Sequence, residues 1–307
     1  MFPVDATDFR SAARRFAVAL LLSSILSTPI QATPRASDAV APVTGRSGKD
    51  QPVSAVAIDL LSRGIGAHRL VLLGEMHGTR EIPVLVGDLV ARYAGNDEPL
   101  VLALEIDSRE QPRIDRYLMS SGSDTDRRAL LAGDHWQDPM HDGRDSEAML
   151  ALMERVRLLR AQHSELWILA FDRNGRGTRD ARMAAALRDA VMHRPAARLL
   201  VLTGNIHAMV RAPKDLMLDG NPIEPPLSAG TQLSDLAPLS ISITALGGES
   251  VICQPSCAIQ PVQGSGASTA PAFESNGDTS PWDATLTLLR FTPSPAAVGA
   301  ESARSTR

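Results

Sequence analysis

The chain has 307 residues, of which 44% are hydrophobic and 21% charged, and its 31 Lys+Arg and 35 Asp+Glu give a formal net charge of -4. This composition excludes a disordered or collagen-like chain, and the length allows one large domain or two small ones. The near-neutral charge provides no broad basic surface, so we expect no nucleic-acid partner. Two cysteines are too few for a disulfide scaffold or a four-ligand zinc site.

The first 32 residues have the pattern of an export signal. Arg14 and Arg15 precede an apolar run over residues 16–26, and small residues follow this run. The run is shorter than the roughly 20 residues that span a bilayer. We therefore expect a signal peptide over residues 1–32, a periplasmic or secreted protein, and no stable membrane anchor after cleavage. In that oxidising setting Cys253 and Cys257 could form a disulfide, with two free buried thiols as the alternative.

Composition also divides the rest of the chain. Residues 33–53 are rich in Pro, Ser, Gly and Ala without periodicity, which predicts a disordered linker. We expect one domain over residues 54–292, with a flexible, Gly/Ser/Pro-rich insert at 260–281. Residues 293–307 are expected to be a disordered tail.

Short apolar runs alternate with helical patterns through most of this domain. Buried strands are predicted by the apolar runs at 69–74, 100–104, 166–171 and 198–203. Helices are predicted by the helical patterns between Thr79 and Tyr93, at 112–119, at about 146–162 and at 179–193. Thr79 is the expected cap of the first of these helices. Weaker patterns predict strands at 239–245 and 285–291. The alternation predicts an α/β fold, with a mainly parallel central sheet flanked by helices and a less regular, β-containing C-terminal part.

One connection, at residues 133–145, is too long and too polar for an ordinary turn. Loops of this length often act as lids or binding loops. His135 and His141 lie in it, and we favour solvated loop histidines over gating residues for both.

Polar residues follow all four apolar strands. Glu75 and His77 follow the first, Glu105 the second, Asp172 and Arg173 the third, and Asn205 and His207 the fourth. In open parallel sheets ligands bind outside the carboxyl ends of the strands. The motif G-x-x-H occurs at two of these ends, at 74–77 and 204–207. We expect these residues to meet at one rim, with Glu75 beside Glu105 if their strands are neighbours.

Four ordered motifs resemble a known superfamily. They are Leu-Gly-Glu-Met-His-Gly-Thr-Arg-Glu at 73–81, Glu105, Arg-Asp-x-x-Met-Ala at 179–184, and Gly-Asn-x-His at 204–207. Together they are similar to the erythromycin-esterase, ChaN-like and TraB/Tiki superfamily, over about residues 66–212. The resemblance implies that Glu75, His77, Glu105 and His207 line the active or ligand site. The supporting residues are expected to be Asp172, Arg173, Arg179, Asp180 and Asn205.

The first functional hypothesis is an exported hydrolase acting on a small molecule or a peptide. The chain has no G-x-S-x-G nucleophile motif, so we expect attack by an activated water. In a metal-assisted version, Glu75, His77, Glu105 and His207 bind zinc, manganese or cobalt. In a metal-free version His77 is the base, Glu105 orients it, and His207 stabilises the developing charge. Because rim residues contribute little core packing, substitutions at these positions are expected to leave folding nearly intact.

The second hypothesis is a haem- or metal-binding uptake protein without turnover, as the resemblance to ChaN-like proteins implies. Haem needs an exposed axial His or Tyr facing a flat apolar pocket. Tyr93 and Tyr117 both fall on helix faces that are predicted to be buried, which leaves ligation by histidine. A degenerate scaffold is a third hypothesis, and the presence of all four signature residues disfavours it.

Overall fold

The structure is a computed structural model, and it describes residues 55–213, 217–218, 221–222, 227–253, 256–264 and 268–299. The expected signal peptide, the linker up to residue 53 and the last residues of the expected tail lie outside the described residues. In the part of the chain that is described, no helix is both long enough and apolar enough to cross a membrane.

The elements alternate between strand and helix as far as the fourth strand. In chain order they are α1 (Ala55–Ile65), β1 (Leu70–Glu75), α2 (Glu81–Ala94), β2 (Leu100–Asp107), α3 (Gln111–Leu118), α4 (Asp124–Leu131), α5 (Asp134–Gln137), α6 (Glu147–Arg160), β3 (Leu166–Asp172), α7 (Arg179–His193) and β4 (Arg198–Gly204). Strands then dominate: β5 (Met217–Leu218), β6 (Asn221–Pro222), β7 (Leu239–Ala245), β8 (Glu249–Cys253), β9 (Cys257–Pro261), β10 (Ala272–Ser275) and β11 (Ala284–Leu288). Short 3-10 helices lie at Ser108–Glu110 and Thr231–Leu236.

Seven strands form the central sheet in the order β10-β11-β7-β1-β4-β2-β3. Every pair is parallel except β10 with β11, which is antiparallel. All residues of β1 are buried, as expected for a strand covered on both faces. The expected fold class, a mainly parallel α/β sheet with a less regular C-terminal part, is confirmed. β5 with β6, and β8 with β9, form two-stranded antiparallel sheets of their own.

Alternate side chains of the strands enter two separate cores. Val71 and Leu73 of β1 join the core that includes residues of α2 and α6, whereas Leu70 and Leu72 join the core that includes residues of α7. Helices therefore cover both faces of the sheet, and its edges and strand ends are left for other parts of the chain.

The strand order differs from one expectation. β4 lies between β1 and β2, so Glu75 and Glu105 are not on neighbouring strands. α2 connects β1 to β2, but these two strands do not pair with each other. β4, which comes much later in the chain, lies between them. Local sequence patterns do not encode such a choice.

The beginning of α2 also differs from the expectation. The helix begins at Glu81, and Thr79 is a buried residue whose backbone bridges to Pro293. The backbone N–H of Arg80 donates to Thr292 O at 2.8 Å, so the chain's C-terminal segment takes the place expected for a side-chain cap.

That C-terminal segment was expected to be a disordered tail, but residues 293–299 pack on the domain. Pro295 O accepts from the N–H of Glu147 at 2.8 Å, and Ser294 Oγ accepts from Ala148 N at 3.0 Å. The first turn of an α-helix has N–H groups without partners inside the helix. The segment satisfies two of them for α6, which explains why it is ordered.

Two more segments expected to be loops contain regular structure. The insert at 260–281 contains β10, and Phe273 of this strand packs against Gly64 of α1, where an added Cβ would lie 2.2 Å from the ring. The polar connection at 133–145 contains α5, and Trp136 in that helix is only 1% exposed. In both cases an aromatic side chain, partly buried for Phe273 and fully buried for Trp136, packs a polar segment against the core.

Candidate functional site

A pocket of about 440 Å³ lies at the carboxyl ends of β1, β4 and β2. Its lining residues come from the strand ends, from the 138–145 part of the long connection, from α7 and from β8: Glu75, Met76, His77, Glu105, Asp142, Arg144, Arg179, Gly204, Asn205, Ile206, His207, Val251, Ile252 and Cys253. The four signature residues therefore do meet at one rim, as the sequence predicts. Their individual contacts differ from the expected ones.

His77 is oriented by Glu75, two residues earlier. Glu75 Oε1 lies 2.9 Å from His77 Nδ1, and the Glu75 side chain is 5% exposed. His77 Nε2 is 3.8 Å from Glu105 Oε1, beyond hydrogen-bond distance, and this nitrogen faces the pocket. A Cβ at Gly204 would lie only 3.1 Å from Nε2, so glycine leaves room for the imidazole there.

The pKa of His77 is raised above its ordinary value. Burial works against the protonated ring, but the hydrogen bond that Nδ1–H donates to Glu75 and the negative charges of Glu105 and Glu75 outweigh burial. A neutral His77 whose Nδ1–H donates to Glu75 presents the lone pair of Nε2 to the pocket. Glu75, and not Glu105 as expected, is therefore the residue that orients His77.

Glu105 is a buried carboxylate with four partners. Its Oε2 accepts from Thr203 Oγ1 at 2.6 Å and from Gly204 N at 2.7 Å. Its Oε1 accepts from Arg179 at 2.7 Å and from Arg144 at 3.1 Å. The register of β2 with β3 shifts just after Leu104, and such bulges redirect side chains at strand ends.

Burial would raise the pKa of Glu105, but nearby positive charge holds it well below the usual range. This charge comes from His77 and His207 whenever their rings are protonated, and from the permanently charged guanidiniums of Arg144 and Arg179. Glu105 therefore stays ionised and balances positive charge. Its partners leave neither oxygen in a position to take a proton from water.

His207 has both ring nitrogens occupied. Arg179 Nη1 donates to Nε2 at 2.9 Å, and Nδ1 lies 2.7 Å from Asp180 Oδ1. Because a guanidinium can only donate, Nε2 must accept, and Nδ1 carries the proton that it donates to Asp180. His207 is thus a fixed part of the wall, whereas the metal-free hypothesis expected it to stabilise developing charge directly.

Arg179 connects the two sides of the rim. Its Nη2 donates to Glu105 and also to Asp172 Oδ2 at 2.7 Å, and its Nε donates to the same Asp172 oxygen at 3.0 Å. Burial opposes the charge of Arg179, but hydrogen bonding to Asp172 and the charge of Glu105 raise its pKa. Of the expected supporting residues, Arg179 lines the pocket, and Asp172 and Asp180 contact the pocket residues Arg179 and His207.

Arg144 is a site residue that sequence reasoning missed. Its Nε donates to Asp142 Oδ2 at 2.9 Å, and its Nη1 reaches Glu105. Gly143 has φ +93° and lies against Gly78, where a Cβ would come within 2.3 Å of the Gly78 backbone. This approach places Arg144 over the rim. The unusual length of the connection was the only sequence signal.

Other expected residues lie elsewhere or contribute differently. Arg173 is an expected supporting residue, but it pairs with Asp189 at 2.8 Å and does not line the pocket. Asn205 does line the pocket, and its backbone N–H donates to Glu75 O at 3.0 Å. Side chains after a strand alternate in direction, and the exit of β3 turns Arg173 away from the rim.

The two loop histidines do not line the pocket. His135 is partly buried, and this burial lowers its pKa; its Nε2 lies 3.2 Å from the backbone oxygen of Arg144. His141 Nδ1 contacts Asp145 Oδ2. The expectation of a solvated loop histidine is therefore wrong for His135, which holds the backbone at Arg144.

The four signature residues do not fit a divalent metal as they are arranged. Within the described ranges no group of three or more His, Cys, Asp or Glu is placed to hold a metal ion. The physical reason is visible in the donor atoms. Guanidinium groups lie against Glu105 Oε1 and His207 Nε2, so positive charge already occupies the place that a cation would take.

Haem does not fit the pocket either. Both nitrogens of His207 are occupied, and Nε2 of His77 faces a buried carboxylate in place of a flat apolar surface. Tyr93 and Tyr117 are buried on α2 and α3, as expected, and Tyr117 donates to Glu154 at 2.7 Å.

The β8–β9 hairpin carries the two cysteines. The structure has a disulfide between Cys253 and Cys257 at the end of the hairpin, and Cys253 is one of the pocket residues.

No protein-family model matches the chain, and no curated protein matches it. Several solved structures share its fold. A succinoglycan biosynthesis protein aligns with a TM-score of 0.51 and 12% identity, covering 77% of this chain and 91% of its own. A protein from Bacillus cereus also aligns with a TM-score of 0.51 and 12% identity, covering 80% and 94%. A mutant erythromycin esterase in its open conformation aligns at 0.46 and 11% identity, covering 76% and 78%. The first two alignments show that the likeness is one of fold.

Proposed function

We propose that the protein is a hydrolase in which His77 activates a water molecule for attack on an acyl bond. The observation that carries this proposal is the Glu75–His77 pair. Its hydrogen bond of 2.9 Å fixes the ring, and the other ring nitrogen faces the pocket without a hydrogen bond to Glu105. A histidine held by a carboxylate in this way is suited to general-base catalysis.

The reaction needs only water as a second reactant. The water oxygen attacks the carbonyl carbon of the substrate while Nε2 of His77 accepts one of the water's protons. The tetrahedral intermediate then loses its alcohol group as the carbon–oxygen bond breaks, and Nε2 returns the proton to the leaving oxygen. The products are a carboxylic acid and an alcohol.

The two guanidinium groups provide the positive charge beside this reaction. Arg144 and Arg179 both line the pocket, with 24% and 37% of their side chains exposed. Fixed positive groups close to a developing oxyanion stabilise the transition state. Glu105 acts as a positioning residue because it accepts hydrogen bonds from both guanidiniums.

The charge of the site favours a neutral substrate group. The site contains five carboxylates and two guanidiniums: Glu105, Asp142 and Asp172 contact Arg144 or Arg179, whereas Glu75 and Asp180 contact the imidazoles of His77 and His207. A phosphate or other anion would meet an excess of negative charge. This supports acyl transfer to water over phosphoryl transfer. The substrate is a small molecule or a peptide that carries such a bond.

The experiment measures hydrolysis of p-nitrophenyl acetate by purified protein. We expect His77→Ala to lower kcat/KM at least about 100-fold while its melting temperature stays close to that of the wild type. Arg173→Ala is the matched control, since Arg173 also follows a strand of the sheet but its side chain pairs with Asp189 outside the pocket. Equal rates in His77→Ala and the wild type would overturn the proposal. A Soret band at unit stoichiometry after haem addition would favour the uptake hypothesis.

The export pattern in residues 1–32 extends the proposal to the compartment. We propose a periplasmic or secreted enzyme, and mass spectrometry of the protein from its own host should find a chain beginning near Thr33. An intact Met1 in the cytoplasmic fraction would contradict export.

A further inference from the structure

The pocket has two walls of different chemistry. One wall contains the charged groups at the strand ends. The other is formed by apolar residues: Val251, Ile252 and Cys253 of β8, together with Met76 and Ile206. Ile206 is 63% exposed, so its apolar side chain is accessible from solvent beside the charged rim. Activation of water does not require this second wall, so it points to the part of the substrate that does not react.

The β8–β9 hairpin brings this wall to the catalytic histidine. Val251 packs on Gly78, the residue after His77, so closely that a Cβ on Gly78 would lie 2.6 Å from the Cβ of Val251. Gly78 has φ +71°, a conformation that favours glycine. The apolar wall therefore begins one residue from the proposed base.

The hairpin needs this anchorage to form a defined surface. β8 and β9 form a sheet of only two strands, separate from the central sheet, and an isolated hairpin of this size is marginally stable in water. The contact of Val251 with Gly78 holds the middle of β8, and the Cys253–Cys257 disulfide joins the strands at one end of the hairpin. A fixed apolar surface binds an apolar group better than a mobile one, because less ordering is required.

We infer that the β8–β9 hairpin is the acyl-binding subsite of the enzyme, and that the substrate carries an aliphatic chain next to the bond that is cleaved. This inference rests on the proposed function. The pocket volume of about 440 Å³ is within the range of sites that hold small organic ligands, and it greatly exceeds the space needed for a water and an acetyl group. The aliphatic chain lies along Val251 and Ile252 while its carbonyl group faces His77.

The test compares two esters that differ only in acyl length, p-nitrophenyl octanoate and p-nitrophenyl acetate. The measured quantity is the ratio of their kcat/KM values. The test variant is the double substitution Val251→Thr with Ile252→Thr, which makes the wall more polar, keeps the volume at position 251 and removes one non-hydrogen atom at position 252. The control is Ile259→Thr, because Ile259 pairs with Val251 across the same hairpin, is 60% exposed and does not line the pocket.

We expect the octanoate-to-acetate ratio to fall about tenfold in the double variant, since apolar contacts of this size discriminate between substrates by that order. The ratio in Ile259→Thr should match the wild type. An unchanged ratio in the double variant, or an equal fall in the control, would overturn the inference. If the double variant does not fold, Ile252→Thr alone keeps the Val251–Gly78 contact and must still lower the ratio.

A binding measurement separates this inference from the proposed function. If neither ester is hydrolysed, the proposed function fails, and calorimetric titration with octanamide then tests the subsite by itself. Binding to the wild type and to Ile259→Thr, with about tenfold weaker binding to the double variant, would support the subsite. Equal affinities in all three proteins, or no binding to the wild type, would overturn it.

Discussion

At the scale of single residues, two buried glutamates at strand ends have different functions because their neighbours differ. Glu75 contacts an imidazole, so it determines the orientation and basicity of His77. Glu105 contacts two guanidiniums and two groups of β4, so it determines where positive charge lies. Their sequence contexts are alike, and only the contacts distinguish the two residues.

The role of Glu75 predicts a shift in the pH profile of activity. Only neutral His77 can accept a proton, so kcat/KM of the wild type should rise with pH through the raised pKa of His77 and then level off. Glu75→Gln removes a negative charge that raises this pKa. We expect the rise to move to lower pH, and the plateau to fall about tenfold or more because the ring is less firmly oriented.

Measurement of kcat/KM for p-nitrophenyl acetate between about pH 5 and about pH 9 tests this expectation. Arg173→Ala again serves as the control, with an unshifted midpoint expected. A Glu75→Gln profile with the same midpoint as the wild type would show that Glu75 does not act on His77.

Glu105 predicts a large effect on stability. From sequence, rim substitutions were expected to leave folding nearly intact, but Glu105→Gln leaves Arg144 and Arg179 partly uncompensated beside a buried site. Removal of one partner from a buried charge cluster costs about 3–5 kcal/mol. We expect Glu105→Gln to unfold in urea at a clearly lower midpoint at neutral pH.

The sign of the pH dependence provides an internal check. The pKa of Glu105 is lower in the folded state than its ordinary value, so its stabilisation is present above the ordinary value and is lost as the pH falls through the folded value. The difference in stability between wild type and Glu105→Gln should therefore shrink on strong acidification. Equal urea midpoints at neutral pH would contradict the structural role of Glu105.

At the scale of elements, the connection between α5 and α6 provides Arg144, a charged residue of the pocket that lies in no strand. It places Arg144 over the rim through two contacts, one from Gly143 to Gly78 and one from His135 to the oxygen of Arg144. Burial lowers the pKa of His135, which keeps its ring neutral and leaves Nε2–H free to donate to that oxygen.

This arrangement predicts that His135 affects catalysis although it does not line the pocket. His135→Ala should lower kcat for p-nitrophenyl acetate about tenfold, because a displaced Arg144 no longer stabilises the oxyanion, with a smaller effect on KM. His135→Gln keeps an N–H donor and should recover part of the loss. Loss of stability without a change of kcat in either variant would indicate a structural role only.

The same scale shows what the sequence could predict. Apolar runs and helical periodicity located β1 to β4, α6 and α7, because local patterns determine these elements. The place of β4 between β1 and β2, the pairing of residues 293–299 with α6, and the position of Arg144 were not predicted. Each of these depends on contacts between segments that are distant in sequence.

The candidate site was also predicted only in part. G-x-x-H and the strand-end glutamates identified the four rim residues correctly as neighbours of one pocket. Their partners were not predicted. Glu105 was expected to orient His77, but β4 lies between the strands of these two residues, and Glu75 makes the hydrogen bond to His77.

At the scale of the whole molecule, positive charge for the reaction comes from the chain itself. Arg144 and Arg179 lie where a divalent cation would bind to Glu105 and His207. We therefore expect dialysis against EDTA to leave kcat/KM for p-nitrophenyl acetate unchanged within twofold, a margin of about 0.4 kcal/mol in transition-state stabilisation. Elemental analysis before and after dialysis accompanies the assay. Loss of activity on dialysis, with recovery on adding zinc, manganese or cobalt, would show that the guanidiniums do not replace a metal.

The central claim is that His77 is the general base, and chemical rescue tests it most directly. His77→Ala leaves a space beside Glu75 and the pocket, into which free imidazole can enter. We predict that added imidazole restores p-nitrophenyl acetate hydrolysis by His77→Ala in a saturable manner, beyond its effect in buffer alone, and that it does nothing for Glu105→Gln. An inactive, folded His77→Ala protein that imidazole fails to rescue would contradict the account.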